Sequence, residues 1–262
     1  MHSPFDITTA RWGDVKQMPH YDMALLPWGA TEPHNLHLPY CTDMLAAQAV
    51  SFEAAERAAE RGVQAMVLPG IPLGSQNPGQ IELPYCIHTT QATQMAVLTD
   101  IVASLQRQGI NRLVIMSGHG GNIFKGMIRD LMIKNPDMTI CHCEWFNIVP
   151  RAGYFDEKFD DHAGELETSV MLHYFPETVK MEMAGDGAST DFAIESLNAK
   201  VAWAPRHWAY ATVDTGVGNP HSATAEKGKR YIEAVLPKIV DFLVELAYKP
   251  LYRRGRAGEP AT

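Results

Sequence analysis

The chain has 262 residues, and 30 acidic against 22 basic side chains leave a formal net charge of −8. That balance argues against a nucleic-acid-binding protein, whose footprint is a basic face. With 46% hydrophobic residues the chain can build a large core, so wholesale disorder is excluded. The apolar runs are far shorter than the ~18 residues that span a bilayer. Residues 1–6 have neither the basic nor the apolar region of a signal peptide, and four cysteines are too few for a disulfide scaffold. The expectation is a cytoplasmic globular protein that acts on a small molecule, without nucleic-acid or membrane partners. Eleven histidines direct attention to metal chemistry.

In chain order, short apolar runs at residues 23–28, 64–69, 112–117 and 138–143 read as strands. Their hydrophobicity is continuous rather than alternating, which suits parallel strands covered on both faces. Residues 43–61 form an Ala-rich helix with Glu53 and Arg57 at i, i+4 spacing and Gly62 as its stop. Residues 90–108 carry the stripe Leu98, Ile101, Val102 and Leu105, closed by Gly109. Residues 123–134 repeat the pattern with Phe124, Met127 and Leu131. Residues 176–220 show little periodicity, and residues 223–247 form a long amphipathic helix bent at Pro237. Alternation of this kind predicts βαβ units with right-handed crossovers: an α/β protein, a three-layer α/β/α sandwich around a mainly parallel sheet. A single domain over residues 1–250, then a flexible tail over 251–262, is the expected organisation.

Three clusters carry ligand-type residues. The first follows the first strand and holds Glu32, His34, His37 and Asp43, where open α/β sheets place their ligands. Asp43 opens the next helix, as an N-cap or as a bridge between metals. The second is Ser117, Gly118, His119, Gly120, Gly121 and Asn122, again between a strand and a helix. Its glycines permit positive φ or close backbone approach, and Asn122 is placed to cap the helix. A phosphate-binding turn is the rival reading, weakened by the lack of a following Lys. The third, Asp160, Asp161, His162, Gly164, Glu165, Glu167, Thr168 and Ser169, leads into a helix at 170–174 and by itself reads as a helix start. Cys141, His142 and Cys143 alternate in a strand, so the thiols are read as buried and structural rather than as zinc ligands. Trp145, at the carboxyl end of that strand, is a candidate for lining a pocket.

Together these motifs, with Gly218, Asn219, Pro220, His221 and the stretch to Gly228, resemble the creatininase (creatinine amidohydrolase) family from about residue 20 to 245. The resemblance implies an oligomeric, often hexameric, α/β/α enzyme with a pair of divalent cations. Glu32, Asp43 and His119 would hold one metal, and His34 with a bridging Asp43 the other. Creatininase takes a further ligand from a Glu where this chain has Gly121; Glu165 is the expected replacement, with Glu167 left as a capping or supporting carboxylate. His162 matches the catalytic His, and Trp145 and His37 are expected near the substrate. Lys158 stands where creatininase has a second Trp over the creatinine ring, so creatinine is not the expected substrate.

Oxygen and imidazole donors without thiolate suit zinc, manganese or iron. Two such metals can share a hydroxide that attacks a carbonyl, with His162 as proton donor and Glu165 as ligand or shuttle. Hydrolysis of a small non-peptide amide, cyclic amide or formamide, is the expected reaction. Hydrolytic C–C cleavage of a keto-cyclitol or keto-sugar, favoured by the polar residues Ser75, Gln76, Asn77 and Gln80 and by Lys158 as a substrate-binding residue, is the alternative. A metal-free small-molecule-binding protein on the same sandwich is the second alternative.

Overall fold

A computed structural model describes residues 5–18 and 20–253. Four parallel strands, β1 (Met23–Trp28), β2 (Ala65–Val67), β3 (Arg112–Ser117) and β4 (Thr139–Glu144), lie in the order β2-β1-β3-β4. The helices are α1 (Trp12–Val15), α2 (Thr42–Ala59), α3 (Gln91–Arg107), α4 (Phe124–Lys134), α5 (Glu165–Tyr174), α6 (Glu195–Asn198), α7 (Trp208–Ala211) and α8 (Ala225–Tyr248).

Every residue of β1 is buried, because its two faces meet different helix layers. Met23 and Leu25 join Val114 and Met116 under α2, α5 and α8; Ala24, Leu26 and Trp28 join Leu113 and Ile115 under α3 and α4. This is the expected three-layer α/β/α sandwich. The alanines of α2 (Ala46, Ala47, Ala54, Ala55 and Ala58) are all buried, so small side chains bring this helix close to the sheet. Gly228 does the same where α8 crosses α5: a Cβ there would overlap the Ser169 carbonyl.

Pro27 sits in a central strand, where a missing N–H ordinarily breaks the ladder. It is tolerated because its side of β1 faces β2, which ends at Val67. Beyond that point only the Pro27 carbonyl is used, accepting from the Ile71 N–H at 2.9 Å. The outer edge of β2 is covered by the N-terminal segment, with Val67 donating to the Phe5 carbonyl at 2.7 Å and Ile7 donating to Val67 at 3.1 Å.

The elements depart from the sequence reading in three places. The helix expected at 170–174 begins at Glu165. Asn122 does not cap α4, whose N-cap is Ile123 with no side-chain cap bond; instead it accepts from the Ser75 and Gln94 N–H groups and donates to the Gly29 carbonyl at 3.0 Å. Gly118, Gly120 and Gly121 do not use positive φ. Close approach is the reason for two of them: a Cβ on Gly118 would overlap the Asp43 carbonyl, and one on Gly121 the His119 ring and the Ser75 carbonyl. The long helix expected over 223–247 is α8, with Pro237 inside it on the exposed side. The carbonyl freed by Pro237, that of Glu233, belongs to an exposed residue and can meet water. Of the tail expected at 251–262, residues 254–262 lie outside the described residues.

Candidate metal centre

Strand β2 lies on one side of β1 and β3 on the other, so the chain reverses direction across the sheet between the carboxyl ends of β1 and β3. Open α/β sheets form a crevice at that point, and the first two clusters enter it. The Glu32 N–H donates to the Tyr40 carbonyl at 3.0 Å, closing a compact loop after β1. Within it Asn35 takes a φ of 53°, and its amide bonds both the N–H and the carbonyl of Gly185 at 3.0 Å. His162 arrives on a segment paired with Val217, each backbone N–H donating to the other's carbonyl at 3.0 and 2.8 Å. Ala163 also has a φ of 53°, which aims its N–H at Glu167 Oε2, 2.6 Å away. Left-handed non-glycine backbone is held here, beside both histidines, by hydrogen bonds from neighbouring segments.

Three histidines are oriented in one way. His34 Nδ1 bonds the Glu32 carbonyl at 3.0 Å, His119 Nε2 the Ser75 carbonyl at 2.8 Å, and His162 Nε2 the Pro33 carbonyl at 2.9 Å. A carbonyl only accepts, so each anchored nitrogen carries the proton and the other nitrogen of a neutral ring presents a lone pair. Those nitrogens face carboxylates. His34 Nε2 lies 2.9 Å from Asp43 Oδ1, His119 Nδ1 lies 3.1 Å from both Asp43 Oδ2 and Glu32 Oε1, and His162 Nδ1 lies 3.7 Å from Glu32 Oε1. Glu32 Oε1 and Asp43 Oδ2 are buried without a hydrogen-bond partner. Lone pairs facing one another across 3 Å repel unless a proton or a metal cation lies between them.

The ligand-type atoms close into groups within 4.8 Å: Glu32, Asp43 and His119; His34, Asp43 and Glu167; and Glu32, His34 and His162. Asp43 gives one oxygen to each of the first two, the arrangement of a bridging carboxylate. The donors fit a pair of divalent cations in chemistry as well as placement, being carboxylate and imidazole throughout. In the protein alone, protons do this work. Burial opposes charge on His34, yet Asp43 raises its pKa to about 10. Burial likewise opposes charge on His119, and Glu32 and Asp43 outweigh it to raise the pKa. Asp43, against the upward push of burial, is held well below the usual carboxylate range by His34 and His119. Glu167 is raised by burial.

Four expected site residues are not brought to this cluster. Glu165 is fully buried, but its Oε2 accepts from the Asp156 and Glu157 N–H groups at 2.7 and 2.6 Å and its Oε1 from Lys227; Glu167 takes the place expected of it. Trp145 is a core residue packed under α2 and α8, and its neighbour Phe146 lines the small cavity beside His162. His37 points to α5, with Nε2 2.8 Å from Thr168 Oγ1. Lys158 is exposed, and it is Phe159 and Asp161 beside it that line the cleft. The thiols of Cys141 and Cys143 are free and pack toward the α2 and α8 core, as alternation in β4 requires.

A cleft of about 920 Å³ opens above Glu32, His119 and His162. Its lining includes Ser75, Gln76, Asn77 and Gln80 together with Trp203, Arg206 and Trp208, and the two segments meet where the Trp208 backbone N–H donates to the Pro78 carbonyl at 2.7 Å. Trp208 meets the His162 ring edge-on with centroids 5.3 Å apart, Arg206 lies over Trp208 at 4.9 Å, and Arg206 pairs with Asp161. The sequence reading missed this aromatic wall, since residues 176–220 have no periodicity to place it. A smaller polar cavity of about 230 Å³, lined by Asp43, Glu144, Arg151, Asp160, His162 and Glu167 among others, lies on the other side.

The family model for creatinine amidohydrolase matches residues 8–243. The chain belongs to the creatininase family. It is 31% identical over 215 residues to the mycofactocin precursor peptide peptidase of Mycobacterium ulcerans, covering 79% of this chain and 78% of that one. It is 26% identical over 240 residues to the creatinine amidohydrolase of Pseudomonas putida, covering 84% and 88%. Against the 3-dehydro-scyllo-inosose hydrolase of Thermotoga maritima the identity is 25% over 266 residues, covering 91% and 80%. A Bacteroides fragilis structure provisionally designated a creatinine amidohydrolase superposes with a TM-score of 0.94 at 56% identity, covering 96% and 100%. A manganese creatininase structure superposes at 0.76 with 23% identity, covering 94% and 99%. As a creatininase-family protein the chain is a metal-dependent amidohydrolase, and it carries groups of residues that could hold a metal.

Proposed function

We propose that this protein hydrolyses a carbonyl–nitrogen bond in a small non-peptide amide, a cyclic amide or formamide other than creatinine. The observation that carries the reading is the pair of donor groups sharing Asp43, with unpartnered buried oxygens on Glu32 and Asp43. Glu32, Asp43 and His119 would hold one divalent cation and His34, Asp43 and Glu167 a second, of zinc, manganese or iron. Bound there, the cations supply Lewis acidity, acidifying water and polarising a carbonyl. The side chains around them bind, orient and move protons. His162 lines both cavities with its Nδ1 toward Glu32, placed to take a proton from the attacking water at that nitrogen and pass it to the departing nitrogen. Trp208 and the Pro33 carbonyl hold its ring. Lys158 in place of a second pocket Trp, and its exposure, support a substrate other than creatinine.

A second reading is hydrolytic C–C cleavage of a keto-cyclitol or keto-sugar. It is supported by the carboxamide wall, where Gln76 Oε1 is buried without a partner, and by the similarity to the Thermotoga maritima inosose hydrolase. A screen of cyclic amides, formamides, short peptides and keto-inositols with the zinc- or manganese-loaded protein separates the two. The H119A variant is expected to lose bound metal and turnover together; full metal content and rate in H119A would overturn the ligand assignment.

The same reading includes a single domain over residues 1–250, self-association and a cytoplasmic location. Self-association is supported by the exposed side chains Tyr85, Trp203, Tyr210 and Val213, of which Trp203 lines the cleft. Four free thiols support a reducing compartment, and no helix among the described residues is long and apolar enough to cross a membrane.

A further inference from the structure

The loop between β2 and α3 touches the metal-ligand group from the cleft side. Its Ser75 carbonyl accepts the His119 Nε2–H. Five residues on, Gln80 is 1% exposed and donates from Nε2 to Glu32 Oε2 at 2.6 Å. The orientation of that amide is fixed, because Gln80 Oε1 accepts the Asn77 N–H at 2.9 Å, which an NH2 group cannot do. Gln80 therefore occupies one Glu32 oxygen and leaves the other, Oε1, as the atom 3.1 Å from His119 Nδ1. Among the described residues Gln80 bonds no other polar side chain, and it lies in the cleft wall.

We propose that Gln80 is a positioning residue for the metal centre. Its neutral amide selects which Glu32 oxygen faces the cation held with Asp43 and His119, and it ties that ligand to the wall that receives the substrate. The proposal rests on the metal reading above. A neutral donor suits this place: a cationic one would compete with the metal for Glu32, and a second carboxylate would repel it. A supporting bond of this kind, when lost, weakens metal affinity by roughly 10- to 100-fold.

The test is zinc binding by the full chain, measured by competition with a chromophoric chelator, for the wild type, Q80E and Q80M. Q80E keeps the shape and the acceptor for Asn77 but has no donor for Glu32; Q80M removes both bonds. The expected result is one zinc equivalent bound roughly 10- to 100-fold more weakly in each variant, with the equivalent at His34, Asp43 and Glu167 unchanged. Unchanged or tighter binding in Q80E, or equal loss of both equivalents, overturns the proposal, and Q80E decides the matter if Q80M does not fold. A wild type that binds no zinc or manganese would instead sink the metal reading itself.

Discussion

Glu165 and Glu167 stand two residues apart at the start of α5, and their surroundings separate them completely. The first is neutralised by Lys227 and two backbone N–H groups; the second reaches the group of His34 and Asp43. E165Q is therefore expected to keep its metal while losing about 2 kcal/mol of stability, as a buried acceptor loses its charge-assisted bonds. E167Q is expected to do the reverse, losing one metal equivalent with a smaller effect on the metal-free melting point; elemental analysis beside a thermal melt checks both. His37 gives a pH prediction. Burial and the neighbouring His34 lower its pKa to about 4 from the usual 6.5. Between those values the unfolded chain binds the proton and the folded one does not. Stability from this group is therefore full above pH ~6.5 and is lost as pH falls toward ~4, by at most about 3 kcal/mol. H37N should flatten the fall in melting temperature over that interval, and a slope equal to the wild type's would remove His37 as its cause.

Where elements meet, small residues set the geometry of the centre. Gly118 follows β3 and Gly29 follows β1, and a Cβ on either would overlap the backbone of Asp43 or Met44 at the start of α2. The bridging carboxylate thus owes its position to two strand ends pressed against one helix start. G118A should push α2 outward, cost about 1–3 kcal/mol as overpacking does, and weaken metal binding in both groups, since Asp43 serves each. Unchanged zinc affinity in a folded G118A would show that the contact relaxes elsewhere. Gly121 makes a similar point about the family resemblance. A carboxylate side chain at that position would collide with the His119 ring and the Ser75 carbonyl, and in the proposed metal centre the added carboxylate would instead be Glu167 of α5. Gly187 and Gly218, both at positive φ, pack against each other, and Gly218 against the Phe159 and Asp160 backbone shortly before His162.

Across the whole molecule, two layers of helices bury the sheet on both faces and leave its carboxyl edge as the functional end. Several large side chains stay exposed: Trp203, which lines the cleft there, at 80%, and Tyr85 at 84%, Tyr210 at 79% and Val213 at 85%. Exposed apolar patches are characteristic of an interface. The molar mass in solution, by light scattering, is expected to be a multiple of 29.0 kDa. A monomer at micromolar concentration would leave Trp203 as part of the substrate cleft alone.

Much of this was readable from the chain itself. Continuous apolar runs marked the strands, an Ala-rich run with Glu53 and Arg57 at i, i+4 spacing marked α2, stripes of period 3.6 marked α3, α4 and α8, and strand ends followed by Glu32, His34, Asp43 and His119 marked where ligands gather. These are local properties, repeated over enough residues to stand out. What only the tertiary structure decided was orientation. Residues two apart on a helix point to different sides, so nothing in the order of residues tells Glu165 from Glu167 until α5 is docked. Trp145 went to the core and Phe146 to the cavity because the chain turns after Glu144. Gln80, Trp203 and Trp208 lie in segments without periodicity, and their partners are 48 residues or more away in the case of Gln80 and Glu32. Such contacts exist only once the layers have closed, because packing of distant segments rather than local pattern creates them.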